Sequence, residues 1–140
     1  MTQVFFYHGA ADRAAAACAL LTGAYAKRRP VLVYVPEKSL AQSVDRMLWA
    51  HNALSFIPHC AADSPLASET SILLADSLDA PPSCERLMNL SHEIPPEHQR
   101  FSSIIEVVGQ AEDERLAARE RVRWYKSKGC EVQYFDLSNR

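Results

Sequence analysis

The apolar positions of this chain fall into short runs with two periods, and those runs predict its elements. Gln3–Tyr7 (QVFFY) is rich in Val, Phe and Tyr and reads as an opening strand. A short turn at His8 and Gly9 leads into a helix from about Ala11 to Lys27, whose alanines leave little bulk and let it lie close against a sheet. Pro30–Val35 (PVLVYV) is almost continuously apolar, the pattern of a strand covered on both faces. Pro36 suits the first turn of a second helix running to about Trp49, with Leu40, Val44 and Leu48 on one stripe. Strand, helix, strand, helix predicts an α/β unit with parallel strands. Further on, Ile72–Leu74, Arg86–Leu90, Ser103–Val108 (SIIEVV) and Cys130–Phe135 (CEVQYF) read as strands. Ala50–Leu66, Asp76–Ser83 and the two-proline stretch His92–Gln99 read as loops or connections. The expected fold is α/β, one three-layer domain over residues 1–140, with a mostly parallel central sheet and helices on both faces.

Ala111–Gly129 (AEDERLAARERVRWYKSKG) carries the fullest set of helix signals. Glu112, Asp113 and Glu114 put negative charge on the first turn, Lys126 and Lys128 put positive charge on the last, and Gly129 can end the helix. Ala118, Val122 and Tyr125 recur at i, i+4 and i+7 and predict one buried stripe. Arg115, Arg119 and Arg123 recur every four residues and form a row on an adjacent face. Three guanidinium groups in a row suit recognition of carboxylate or phosphate. Residue spacing equally allows a solvated face, partly neutralised by Glu120 and the acidic first turn.

Composition narrows the function classes. One hundred and forty residues, 48% of them apolar, are enough for a core without disulfides or metal. A formal charge of -2 and a pI near 6.2 argue against a dedicated nucleic-acid binder, whose affinity rests on excess Lys and Arg. No apolar run approaches the roughly eighteen residues of a membrane span, and MTQVFFYHGAADR lacks the basic start and long apolar core of a signal peptide. A cytoplasmic protein is expected. Cys18, Cys60, Cys84 and Cys130 are scattered, with no C-x-x-C pair, and the five histidines are equally dispersed, so no metal is expected.

The catalytic motifs of nucleotide-fold proteins are missing. The first strand-to-helix turn, YHGAAD, has one glycine, and neither G-x-G-x-x-G nor G-x-x-x-x-G-K-[ST] occurs. Glycine stands only at 9, 23, 109 and 129, too sparsely to bring backbone close to a phosphate. G-x-S-x-G is absent too. Asp12 reads as a helix N-terminal residue rather than a catalytic carboxylate. The topology is nucleotide-binding-like without a phosphate loop, no cofactor is expected, and the chain reads as a binding module more than an enzyme.

LWAHNALSFIPH (Leu48–His59), followed by an acidic-small loop and a strand near Ile72, resembles the chi subunit family of bacterial DNA polymerase III. RERVRWYKSKG (Arg119–Gly129) is similar to that family's terminal helix and closing glycine, and FFYH and PVLVYV fall where the family has them. The resemblance spans essentially the whole chain. It implies a non-catalytic accessory subunit that binds the acidic C-terminal tail of single-stranded-DNA-binding protein and, on another face, the psi subunit of the clamp loader. By position it implies tail-binding roles for Arg115 and Arg119, with Val122 and Val108 near the tail's terminal Pro-Phe. It also implies psi-facing anchors at Trp49 and Phe56, rimmed by His51, Leu54 and Pro58. From the residues alone Trp49 and Phe56 could equally be core. The resemblance leaves a repair helicase, the partner on that surface in some relatives, as the alternative to psi. Contact with DNA would be indirect, and the chain a monomer in isolation or a heterodimer.

Overall fold

The computed structural model describes residues 2–50, 59–62, 72–78, 84–96 and 98–138, with 49 and 50 described by backbone alone. In chain order the elements are β1 (Gln3–Ala10), α1 (Arg13–Ala26), β2 (Val31–Tyr34), α2 (Lys38–Ala50), β3 (His59–Ala61), β4 (Ile72–Ala75) and β5 (Arg86–Asn89). A 3-10 turn at His98–Arg100 then leads to β6 (Ser103–Gly109), α3 (Glu112–Ser127) and β7 (Glu131–Asp136). The described strands form one sheet in the order β3-β4-β2-β5-β6-β1-β7, and every pairing is parallel.

This order explains the layers. A crossover between parallel strands of one sheet is right-handed, so the direction of travel decides which face its helix covers. The chain moves towards β3 through α1 and α2 and in the opposite sense, from β6 past β1 to β7, through α3. Two cores result. Ala17, Cys18 and Leu21 of α1 and Val44 and Leu48 of α2 pack on Val31, Val33, Met88 and Val107. Ala118 and Tyr125 of α3 pack on the other face, against Val4, Phe6, Leu32, Leu87, Ile104 and Val108. Alternation along β6 divides its residues cleanly: Ile105 and Val107 join the first core, Ile104 and Val108 the second. The predicted α/β fold with helices on both faces is therefore what is observed.

Several boundaries differ from expectation for local reasons. His8 and Gly9 belong to β1 rather than to a turn; Gly9 has φ +76 where the pairing with β6 shifts between Tyr7 and Ala10. The turn comes two residues later, where Asp12 caps α1 by accepting from the Ala15 N–H at 3.2 Å. β3 lies inside the stretch read as loop, as a short edge strand beside β4. α3 keeps its acidic first turn, and Gly129 follows it at φ +81. Ala111 at its N-cap makes no side-chain capping bond, so the acidic side chains are the main favourable feature of that end.

Candidate functional site

α3 packs on β6 and β7 with one side and faces outward with the other. Along its edge runs a groove of about 440 Å³. The buried side chains of Phe6, Val108 and Ala118 form its base, and Val122 lies half-buried above them. Arg115, Arg119 and Arg123 from α3, with His8 and Tyr134 from the strands, line the exposed part. The four residues singled out together in the sequence, Arg115, Arg119, Val122 and Val108, thus all border one cavity.

The acidic neighbours neutralise only part of the arginine row. Arg123 Nη1 lies 3.1 Å from Glu120 Oε1, an exposed i,i+3 pair of small energetic worth. Glu114, in the acidic first turn, lies 4.0 Å from Arg13 Nε. Neither Arg115 nor Arg119 has an ion-pair partner among the described residues. Two free guanidinium groups beside an apolar hollow can pair with carboxylates while the hollow takes an apolar side chain.

A polar cluster beneath α3 fixes how the row is presented. Glu106 stands in β6 between Ile104 and Val108 and is fully buried. It accepts from Arg121 Nε at 3.2 Å, from the Tyr125 hydroxyl at 2.7 Å and from Asn89 Nδ2 at 3.0 Å. Burial pushes the Glu106 carboxyl up, against the pull of Arg121 and the Asn89 and Tyr125 hydrogen bonds. The Tyr125 phenol is raised too, by burial first and the neighbouring Glu106 second. Arg121 Nη1 also donates to the His92 carbonyl at 3.1 Å, tying the loop after β5 to α3.

β1 and β6 are adjacent strands whose following helices lie on opposite faces, the position at which doubly wound sheets bind ligands. Here the protein's own side chains fill that crevice. Gln110 Nε2 donates to the Gly9 carbonyl at 3.0 Å. Arg13 donates to the carbonyls of Val107 at 2.8 Å and Ser91 at 3.0 Å, and the Glu114 carboxylate lies against Gly109. A carboxylate stands where such folds hold phosphate.

The sequence over residues 1–133 matches the family model described as DNA polymerase III chi subunit, HolC. The chain belongs to the chi family. It is 30% identical over 139 residues to the DNA polymerase III subunit chi of Pseudomonas aeruginosa, covering 95% of both chains. It is 28% identical over 117 residues to the subunit of the same name from Haemophilus influenzae, covering 81% of this chain and 79% of that one. The chi family is an accessory subunit of the replicative polymerase.

The second surface expected for a chi protein involves Trp49, His51, Leu54, Phe56 and Pro58. Residues 51–58 lie outside the described residues, and Trp49 is described only by its backbone, in the last turn of α2. Beside that stretch, His59 of β3 is buried and its Nε2 lies 2.8 Å from Asp45 Oδ1 of α2, joining edge strand to helix. Sequence reasoning missed Phe6, His8 and Tyr134 in the groove. Phe6 faces Tyr134 and His8 faces Asp136 across β1 and β7, a pairing that only strand order reveals. Among the described residues no helix is long and apolar enough to cross a membrane, and no group of three or more His, Cys, Asp and Glu could hold a metal ion.

Proposed function

We propose that this chi-family protein is a non-catalytic subunit of the DNA polymerase III holoenzyme that tethers the clamp loader to single-stranded-DNA-binding protein. The acidic C-terminal tail of that protein seats in the groove between α3 and β1, β6 and β7. Arg115 and Arg119 pair with its carboxylates, and Val108 and Val122 receive its terminal Pro-Phe. The observation that carries the reading is the pair of arginines, without ion-pair partners among the described residues, on the rim of an apolar hollow. Such a surface suits a short acidic peptide with an apolar end. The surface around Trp49 and Phe56, with His51, Leu54 and Pro58, serves psi or a helicase that uses the same face. No cofactor is involved, DNA is contacted through the partner, and the protein works in the cytoplasm. The crevice between β1 and β6, closed by Gln110, Arg13 and Glu114, favours this adaptor role over a nucleotide-fold enzyme.

The test is isothermal titration with a short acidic peptide ending in Asp-Ile-Pro-Phe, at low and moderate salt. Saturable one-to-one binding, weakened by salt and by Arg119→Ala, is the expected result. No binding at low salt would refute the tail-binding role.

A further inference from the structure

The formal charge of -2 conceals a separation of charge along the strand direction. Carboxylates gather where the parallel strands end: Asp12, Glu37, Asp76, Glu93 and Asp136, with the acidic first turn of α3. Cations gather where the strands begin. Lys27, Arg28 and Arg29 fill the turn before β2, Arg86 opens β5, Arg100 precedes β6 and Lys128 precedes β7. At these strand starts, from β2 to β7, the carboxylates among the described residues are Glu85 and Glu131. The order β2-β5-β6-β1-β7 sets the cations side by side, and with neighbouring strands about 4.8 Å apart the row spans about 19 Å. Helix dipoles favour cations at the ends of α1 and α3, but Arg86 and Arg100 lead into strands and owe nothing to them. Lys27, Arg28, Arg29, Arg86 and Lys128 have no ion-pair partner among the described residues. Between Arg100 and Lys128 the surface opens into a hollow of about 530 Å³, with Glu85 also on its wall. An aromatic ring stands at each end of the row. Tyr25, in the last turn of α1, is 37% exposed, and the half-buried Trp124 ring lies 5.5 Å from Lys128 Nζ.

We propose that this basic edge of the sheet is a second interaction surface, which binds single-stranded nucleic acid: the cations hold successive phosphates, and Tyr25 and Trp124 offer faces on which bases stack. Cations tracking a backbone beside aromatic rings are the combination that binds single strands without regard to sequence. An acidic protein would use the cations and leave the rings idle, so the rings favour nucleic acid. The surface lies clear of the peptide groove, because Lys128 stands nine residues beyond Arg119 on α3, about 14 Å along its axis. It adds a direct, weak contact to the one made through the partner and does not depend on the groove reading. The carboxylates at the other end of the sheet repel a phosphate backbone and leave the basic edge as the side from which it approaches.

The experiment follows the anisotropy of a labelled oligothymidylate of about twelve nucleotides as the full chain is added, across a series of salt concentrations. The variants are Arg28→Asn, Arg29→Gln, Lys128→Gln, Tyr25→Leu and Tyr25→Phe, each checked for folding by its melting curve; asparagine tolerates the φ of +56 at position 28. Wild type is expected to bind at low salt, with affinity falling steeply as salt rises. Each lost cation should weaken binding by about twofold to fivefold and lower the salt slope by about one. Tyr25→Leu should weaken it by roughly fivefold and leave the slope unchanged, whereas Tyr25→Phe keeps the ring and the affinity. Arg119→Ala should leave oligonucleotide binding as it is, and the edge variants should leave the tail-peptide titration as it is. No binding at low salt overturns the proposal. So does displacement by polyglutamate as effective as by unlabelled oligonucleotide, which would make the edge a surface for acidic protein. A loss with Arg119→Ala and none with the edge variants also overturns it, since the contact would then belong to the groove. All three results leave the tail-binding reading to its own titration.

Discussion

Glu106 is the residue whose removal should be felt most. It is fully buried and its carboxylate accepts three hydrogen bonds, from Arg121, Tyr125 and Asn89. Glu106→Ala leaves Arg121, itself 4% exposed, as a buried cation without its carboxylate. Breaking such a pair from one side costs about 3–5 kcal/mol. The orphaned Tyr125 hydroxyl and Asn89 amide add to that, so a domain with the usual stability of about 5–15 kcal/mol loses a third or more. The mirror change, Arg121→Met, is expected to cost less, because a carboxyl can take up a proton where a guanidinium cannot lose one. Burial already holds the Glu106 carboxyl above its ordinary range, and Arg121 is the strongest influence pulling it down. Without Arg121 it rises further. A carboxyl whose native value exceeds its unfolded value favours the native state at low pH and loses that advantage as pH rises through the native value. The deficit of Arg121→Met relative to wild type is therefore smaller near pH 5 than near pH 8. Urea unfolding followed by circular dichroism at both pH values measures each quantity. A cost below about 1 kcal/mol for Glu106→Ala, or an Arg121→Met deficit no smaller in acid, would refute the reasoning.

Arg119→Ala should weaken tail-peptide binding by about 1.5–3 kcal/mol in titration calorimetry and Arg115→Ala by less, with melting temperatures unchanged because both side chains are exposed. Burial pushes the Cys18 thiol up to about 11, so in Ellman titration near pH 8 it should stay unreacted in the folded protein while the part-exposed Cys60, Cys84 and Cys130 react; equal rates for all would contradict its packing. A Cβ at Gly109 would meet the Glu114 carboxylate, the far end of a flexible side chain, so Gly109→Ala should displace that carboxylate at a cost below about 1 kcal/mol in urea unfolding, and Glu114→Ala in the same chain should remove that cost.

Elements with a strong period were legible in the sequence. PVLVYV reads as a strand covered on both faces, and Val31, Leu32 and Val33 are indeed buried between the two helical layers. α3 was readable from its terminal charges and apolar stripe, and Ala118 and Tyr125 are buried as that stripe requires. β3 was not, because His59–Ala61 holds no β-branched residue and pairs only as an edge with β4. The groove was half legible. Its helical side follows from spacing within one element, whereas Phe6, His8 and Tyr134 depend on β7 lying beside β1, a neighbourhood set by crossover direction and not by local pattern. The buried cluster left two faint traces: a carboxylate in the otherwise apolar run SIIEVV, and an arginine at i+3 from Ala118 and i−4 from Tyr125, on the apolar stripe itself.

That misplaced arginine accounts for the orientation of the others. Arg115, Arg119 and Arg123 repeat every four residues on the outer side of α3, and Arg121 lies two positions from the nearest of them, about 200° around the helix axis. Of the apolar contacts that set the rotation of α3, Ala118 is small, so the fully buried Tyr125 ring carries most of the relief. Arg121 and Tyr125 reinforce that setting by bonding the same Glu106 carboxylate from one turn apart. Turning the helix by one residue, about 100°, would break both bonds and strand a charge in the core. The same rotation would carry Arg119 and Val122 together away from Val108, with which they share the groove. Buried ionic contacts on one side of α3 thus hold the exposed Arg115 and Arg119 in register with the apolar hollow on the other. A binding site made from a single helix edge needs that register fixed before a partner arrives.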